Sequence, residues 1–238
     1  MDKDTLSMAR GNYGYGRWEA PNWFIGPEQG GNKLALRVEV WIKRGSRGLD
    51  DCREFHHDIN EFRWHFKEPV SLQSTWRPLM LLLLNFLGRP VDNDSLPTKH
   101  LRKNYYLRVY QRDRWGSLDE KAAETCVIEL SGLAAPNLQE NPDPGIYLQE
   151  RIKVICAKIL DHQPKLVVMY GRKHLRHWNA IAKAVAGREF PREAIAPALP
   201  GTSVLTHGAM TLVQTPHATA HGLGNEYWTG LGKRLREL

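Results

Sequence analysis

Cysteine is scarce in this 238-residue chain: Cys52, Cys126 and Cys156 are too few and too scattered for a disulfide framework or a metal-ligand pattern. The N-terminus, MDKDTLSMARGN, lacks the apolar region of a secretory signal. A reduced, cytoplasmic protein is the expectation. Long hydrophobic runs are missing too. The longest, LMLLLLNFL (Leu79 to Leu87), is too short to span a bilayer, so no membrane partner is expected. Thr75 as N-cap, Pro78 in the first turn, and Gly88 and Pro90 behind the run punctuate it as a buried helix. There is no internal repeat, no low-complexity tract and no Ser/Gly-rich linker, which leaves a single domain over 1–238. A monomer is the expectation.

Positive charge, by contrast, is abundant. Lys and Arg total 33 against 26 acids, a net charge of +7, and 42% apolar residues can supply a core. The excess is concentrated. KHLRKNYYLRVYQRDR (Lys99 to Arg114) holds six Lys/Arg and one acid, with Tyr105, Tyr106 and Tyr110 interleaved, and 151–188 holds nine Lys/Arg against Asp161. Basic stretches with aromatics suit phosphates and stacked bases, and they equally suit a solvated face.

Four nearly continuous apolar runs read as strands buried on both faces: NWFIG (22–26), TCVIELSG (125–132), KLVVMYG (165–171) and MTLVQTPH (210–217). Helical periodicity separates them, at Ile152, Ile155, Ile159 and Leu160, at Leu175, Trp178, Ala182 and Val185 before Gly187, and at Trp228, Leu231, Leu235 and Leu238. Alternating strands and helices predict a three-layer α/β/α sandwich around a mostly parallel four-stranded sheet. The connection from the first strand to the second is far longer than a crossover needs, so residues at about 43–120 read as an elaborated crossover insert. Within it, FHHDINEFRWHF (Phe55 to Phe66) reads as an amphipathic helix rather than a metal cluster. No metal and no cofactor are expected.

In open parallel sheets ligands bind beyond the carboxyl ends of the strands. Gly26-Pro27-Glu28, Ser131-Gly132, Gly171 and Thr215-Pro216-His217 fall there, so an acid and a histidine converge on one edge. Glu28 thereby moves from a solvent turn to a candidate site. His217 and His221 are spaced like a helical zinc pair, but Pro216 and the preceding strand argue against a helix, and no third ligand is evident.

These segments resemble the uracil-DNA glycosylase superfamily. Its first motif, G-x-[D/N/E/A]-P-[G/Y], follows the first strand, and its second, H-P-S-P, follows the last. Gly26-Pro27-Glu28-Gln29-Gly30 and His217-Ala218-Thr219-Ala220 hold those places, with Gln29 where proline is usual and Ala218 and Ala220 replacing both prolines of the second motif. The resemblance covers roughly 20–32 and 125–238 and leaves the insert out. Branches with an iron–sulfur cluster need four cysteines, and three dispersed ones exclude that.

The resemblance implies an enzyme that flips a nucleotide out of DNA, single- or double-stranded, and hydrolyses the bond between sugar and base. Glu28 would stabilise the sugar cation and orient or deprotonate water, and His217 would donate a hydrogen bond to the base oxygen. Gly26, Pro27, Gln29 and Gly30 would line the base. Trp41 is either the aromatic on which the base stacks or a core residue. Glu129 and Ser131 match the region that reads the base edge, only one of them facing it. Arg102, Lys103, Arg172 and Lys173 from the basic stretches, with Thr219 and His221 of the second motif and its wedge position, would contact DNA.

A tyrosine two residues after the carboxylate walls off 5-substituents in this superfamily, whereas Gly30 leaves that side open. The superfamily includes prokaryotic defence enzymes that remove sugar-modified cytosines from phage DNA, and an open pocket fits that role. Three readings follow: a glycosylase for a 5-substituted pyrimidine such as glucosylated hydroxymethylcytosine, a uracil or mismatch glycosylase in base-excision repair, and a catalytically silent nucleic-acid-binding module.

Overall fold

The computed structural model describes residues 1–27, 30–31, 33–134 and 145–238. Glu28 and Gln29, two of the candidate residues, lie outside the described residues. The chain begins with α1 (Lys3–Gly11), β1 (Gly14–Gly16), β2 (Asn22–Gly26), α2 (Leu34–Lys43) and β3 (Leu49–Asp50). Next come α3 (Cys52–Asp58), α4 (Phe62–His65), α5 (Trp76–Phe86), α6 (Lys99–Arg102) and α7 (Tyr105–Asp113). The C-terminal half runs β4 (Thr125–Glu129), α8 (Gly145–His162), β5 (Leu166–Tyr170), a 3-10 turn at Arg172–His174, α9 (Leu175–Ala186), β6 (Ser203–His207), β7 (Met210–Thr215) and α10 (Asn225–Arg236).

The protein is α/β, with one seven-stranded mixed sheet in the order β3-β1-β4-β2-β5-β7-β6. The four strands expected from apolar runs are its centre, β4-β2-β5-β7, and are parallel to one another. The expectation of a four-stranded sheet is corrected at both flanks. There β1 runs antiparallel to β4 and parallel to β3, and β6 forms a hairpin with β7. These strands escaped pattern reading for physical reasons. β1 is Gly-Tyr-Gly, β3 has two residues, and Thr206 and His207 of β6 are exposed, as an edge strand allows.

Successive side chains of a strand alternate between faces, and two buried clusters follow that alternation. Phe24, Val127, Val168 and Val213 pack on one face with Leu79–Leu84 of α5 and with Trp228 and Leu231 of α10. Trp23, Ile25, Ile128, Val167, Met169 and Leu212 pack on the other with Ile152, Ile155 and Ile159 of α8 and Trp178 and Ile181 of α9. Burying these four strand side chains on one face and six on the other, at about 1.5–3 kcal/mol each, makes the clusters the main favourable term for the sheet. The Leu-rich helix of the insert therefore belongs to the same core as the central strands.

Details of the helices differ from the sequence expectations. Thr75 sits at the N-terminus of α5 without a side-chain cap; Gln73 Oε1 instead accepts from the N–H groups of Thr75 and Trp76, at 2.6 and 2.7 Å. The segment from Phe55 to Phe66 is not one helix, because Asn60 at φ 60° breaks it between α3 and α4. Gly187 ends α9 in the left-handed region, the stop expected of it. The three cysteines are free and buried. Among the described residues no helix is long and apolar enough to cross a membrane.

Candidate active site at the carboxyl edge of the sheet

Register sets the site. Glu129, the last residue of β4, pairs with Gly26, the last of β2, and Tyr170 pairs with Thr215 at the ends of β5 and β7. Ile25 pairs with Met169, so Gly26 and Tyr170 stand one step further along the same ladder. Glu129, Gly26, Tyr170 and Thr215 thus form one row across four parallel strands. Gly26 is the gap in that row. A Cβ there would overlap the Tyr170 hydroxyl and come within 2.8 Å of Glu129 Oε2, so carboxylate and phenol lean over the same bare position. Glycine is required here by space; its φ is not in the left-handed region.

Hydrogen bonds continue past the strand ends and hold the loops. Leu130 N–H donates to Gly26 O and Ser131 N–H to Pro27 O, both at 2.9 Å. Arg151 of α8, 1% exposed, donates to Glu129 O and Leu130 O, each at 2.6 Å, and to Ala9 O at 3.2 Å. Its guanidinium lies 4.3 Å over the Tyr13 ring, and burial lowers its pKa to about 10. The clamp fixes the main chain that carries Glu129.

His217 closes the row. Its ring lies 5.6 Å from that of Tyr170, edge to face, and both His174 and His217 flank Gly171. Thr219 N–H donates to His217 Nδ1 at 3.2 Å and Thr219 Oγ1 lies 2.9 Å from it, which assigns the imidazole proton to Nε2. Burial lowers the pKa of His217. A neutral imidazole with a directed Nε2–H is a hydrogen-bond donor at neutral pH without carrying charge into the site. His174 is lowered as well, first by burial and then by His177, Arg176, His217 and Lys173.

The other candidates separate by position. Pro27 is buried against the row, and Gly30 is exposed, with no described atom within 4 Å of its Cβ position. Gly31 is a backbone-demanding glycine, at φ 127°, where a Cβ would stand 3.1 Å from Arg37 Nη2. Ser131 Oγ is engaged in its own turn with Leu133 N–H and O, both at 3.2 Å, so Glu129 is the member of that pair in the row. Trp41 is not brought to the row: it is 3% exposed, packs on Gly11 and donates its ring N–H to Arg47 O at 2.8 Å. Thr219 and His221 occupy the exposed turn after β7, and His217 to His221 is not helical. No group of three metal-binding side chains occurs among the described residues.

The basic stretches sort by partner. Arg102 turns inward onto the carbonyls of Leu96 and Pro97, while Arg112 and Arg114 pair with Asp113, Glu68 and Glu124. Lys99, His100, Lys103, Asn104 and Arg108 line an open cleft of about 570 Å³. Arg172 lines a second, of about 320 Å³, with Arg192, Asn179 and Gln214, and Lys173 is exposed beside it. Tyr170 is the site residue that sequence reasoning missed. The one signal for it was its place as the last residue of an apolar run, directly before Gly171.

No protein-family model and no curated protein matches the chain.

Proposed function

We propose that the protein is a DNA glycosylase that hydrolyses the N-glycosidic bond of a flipped, 5-substituted pyrimidine and leaves an abasic site. The observation that carries this reading is the row Glu129–Gly26–Tyr170–Thr215 with the oriented, neutral His217 beside Tyr170, at the edge where open α/β sheets bind ligands. In this reading the C1′–N1 bond breaks with its electron pair passing to the base. His217 Nε2–H donates to the base oxygen where negative charge builds. Water adds to C1′, and Glu28, immediately after Pro27, takes its proton and offsets the positive charge on the sugar. The cleft of Lys99, Lys103 and Arg108 supplies phosphate contacts.

Among the described residues no atom lies within 4 Å of a Cβ at Gly30, which supports a base carrying a bulky 5-substituent, such as a glucosylated hydroxymethylcytosine. Gly30→Tyr tests this. In a folded Gly30→Tyr protein the phenol should abolish excision of the bulky base. Gly30→Ala should retain most activity. Full activity of a folded Gly30→Tyr protein on the bulky base would point to uracil or mismatch repair instead, and binding without excision of any base would point to a silent binding module.

A further inference from the structure

Glu129 is 6% exposed, and its main-chain carbonyl is held by Arg151 at 2.6 Å. Its carboxylate leans over bare Gly26 beside the Tyr170 hydroxyl, in the row that ends at Thr215 and His217. An ionised carboxylate only accepts hydrogen bonds and offers about four lone-pair sites, so it can accept from a ligand while keeping protein partners. Its position at the edge where ligands bind therefore gives the recognition a direction: the group it meets must be a donor.

We propose that Glu129 makes the site selective for a pyrimidine with a 4-amino group, a cytosine-type base, over one with a 4-oxo group. This rests on the glycosylase reading. On its pairing edge cytosine presents an N4 amine, which donates, with N3 and O2 as acceptors; a carboxylate accepts from that amine. Uracil-type bases present the O4 acceptor there, which would face the carboxylate lone pair to lone pair and leave both desolvated without a bond. O2 is common to both kinds of base. A donor such as His217 Nε2–H, acting on O2, serves either one and does not discriminate, so selection falls to Glu129.

The test uses one oligonucleotide sequence carrying either 5-hydroxymethylcytosine or 5-hydroxymethyluracil, a pair that shares the 5-substituent and differs in the pairing edge. Single-turnover excision and equilibrium binding are measured for the wild type and for Glu129→Gln, which is isosteric and can turn an amide N–H₂ toward O4. The wild type should excise the cytosine member at least about 100-fold faster, the discrimination expected when a buried hydrogen-bonding group is mismatched. Glu129→Gln should shrink that ratio at least tenfold or invert it. Equal wild-type rates, a wild-type preference for the uracil member, or an equal loss of both rates in the variant would overturn the proposal, and the wild-type ratio decides even if the variant misfolds. If neither base is excised, nor glucosylated hydroxymethylcytosine in the same sequence, it is the glycosylase reading that fails. Selectivity is then judged from affinity: a wild-type preference for the cytosine member that is lost in Glu129→Gln sustains the role of Glu129, and equal affinities overturn it.

Discussion

Placing a methyl group at position 26 is the most demanding perturbation of the row. In Gly26→Ala the new carbon would overlap the Tyr170 hydroxyl and stand 2.8 Å from Glu129 Oε2. The carboxylate is the end of a flexible chain and can withdraw. The phenol cannot do so freely, because Tyr170 is 2% exposed and packs against His217. Overpacking of this kind costs about 1–3 kcal/mol, and in a protein of this size that lowers Tm by roughly 2–12 °C. A displacement of about 1 Å at an active site slows reaction by about 100-fold. Gly26→Ala should therefore lose a few degrees of Tm by circular dichroism and about two orders of magnitude in single-turnover excision. Tyr170→Leu removes the hydroxyl oxygen and the ring carbon that the methyl would overlap, and leaves only Glu129 Oε2, the end of a flexible chain, in its way. In that background Gly26→Ala should be less destabilising by about 1 kcal/mol or more, the signature of contacting residues in a double-mutant cycle. Wild-type Tm and rate in Gly26→Ala, or strict additivity in the cycle, would refute the geometry of the row.

Three further outcomes follow. His217→Ala should slow excision by about 10²–10³-fold with DNA affinity unchanged, since its donor acts on the leaving base; an unchanged rate would make it structural. Lys99→Ala with Lys103→Ala should weaken DNA binding and flatten the log–log salt slope by about 0.9 per lost phosphate contact, whereas Arg102→Ala should act mainly on stability; an unaltered slope would place the cleft off the DNA. His56, buried with its pKa pushed down to about 3, is neutral in the fold and protonates more readily when unfolded. The contribution of His56 should be fully present above about pH 6.5 and be lost at about 1.4 kcal/mol per pH unit down to about pH 3, so His56→Gln should reduce the slope of stability against pH in denaturant titrations by that amount. An identical slope in the variant would contradict the assignment.

The four central strands were legible because each is an apolar run buried on both faces. Strand ends then pointed to Gly26, Pro27 and His217 without coordinates, while Glu129 was named only through the resemblance. Tyr170 was not legible, because in KLVVMYG a tyrosine fits an apolar strand equally well and only inter-strand register sets it opposite Thr215 and beside Gly26. Charge counting had a similar limit. Arg102 and Arg151 add to basic stretches in the sequence, yet their guanidinium groups are spent on main-chain carbonyls, which no count of charges distinguishes from a phosphate-facing surface.

Base excision at this edge of the sheet leaves an abasic site, which alkali converts to a strand break. Wild type and Glu28→Gln are incubated with oligonucleotides carrying uracil, hydroxymethylcytosine or glucosylated hydroxymethylcytosine, then treated with alkali. The wild type should yield strand breaks at the modified cytosine, and Glu28→Gln should bind the same DNA with similar affinity while leaving it intact. No break with any base, or a wild-type rate for Glu28→Gln, would contradict the account.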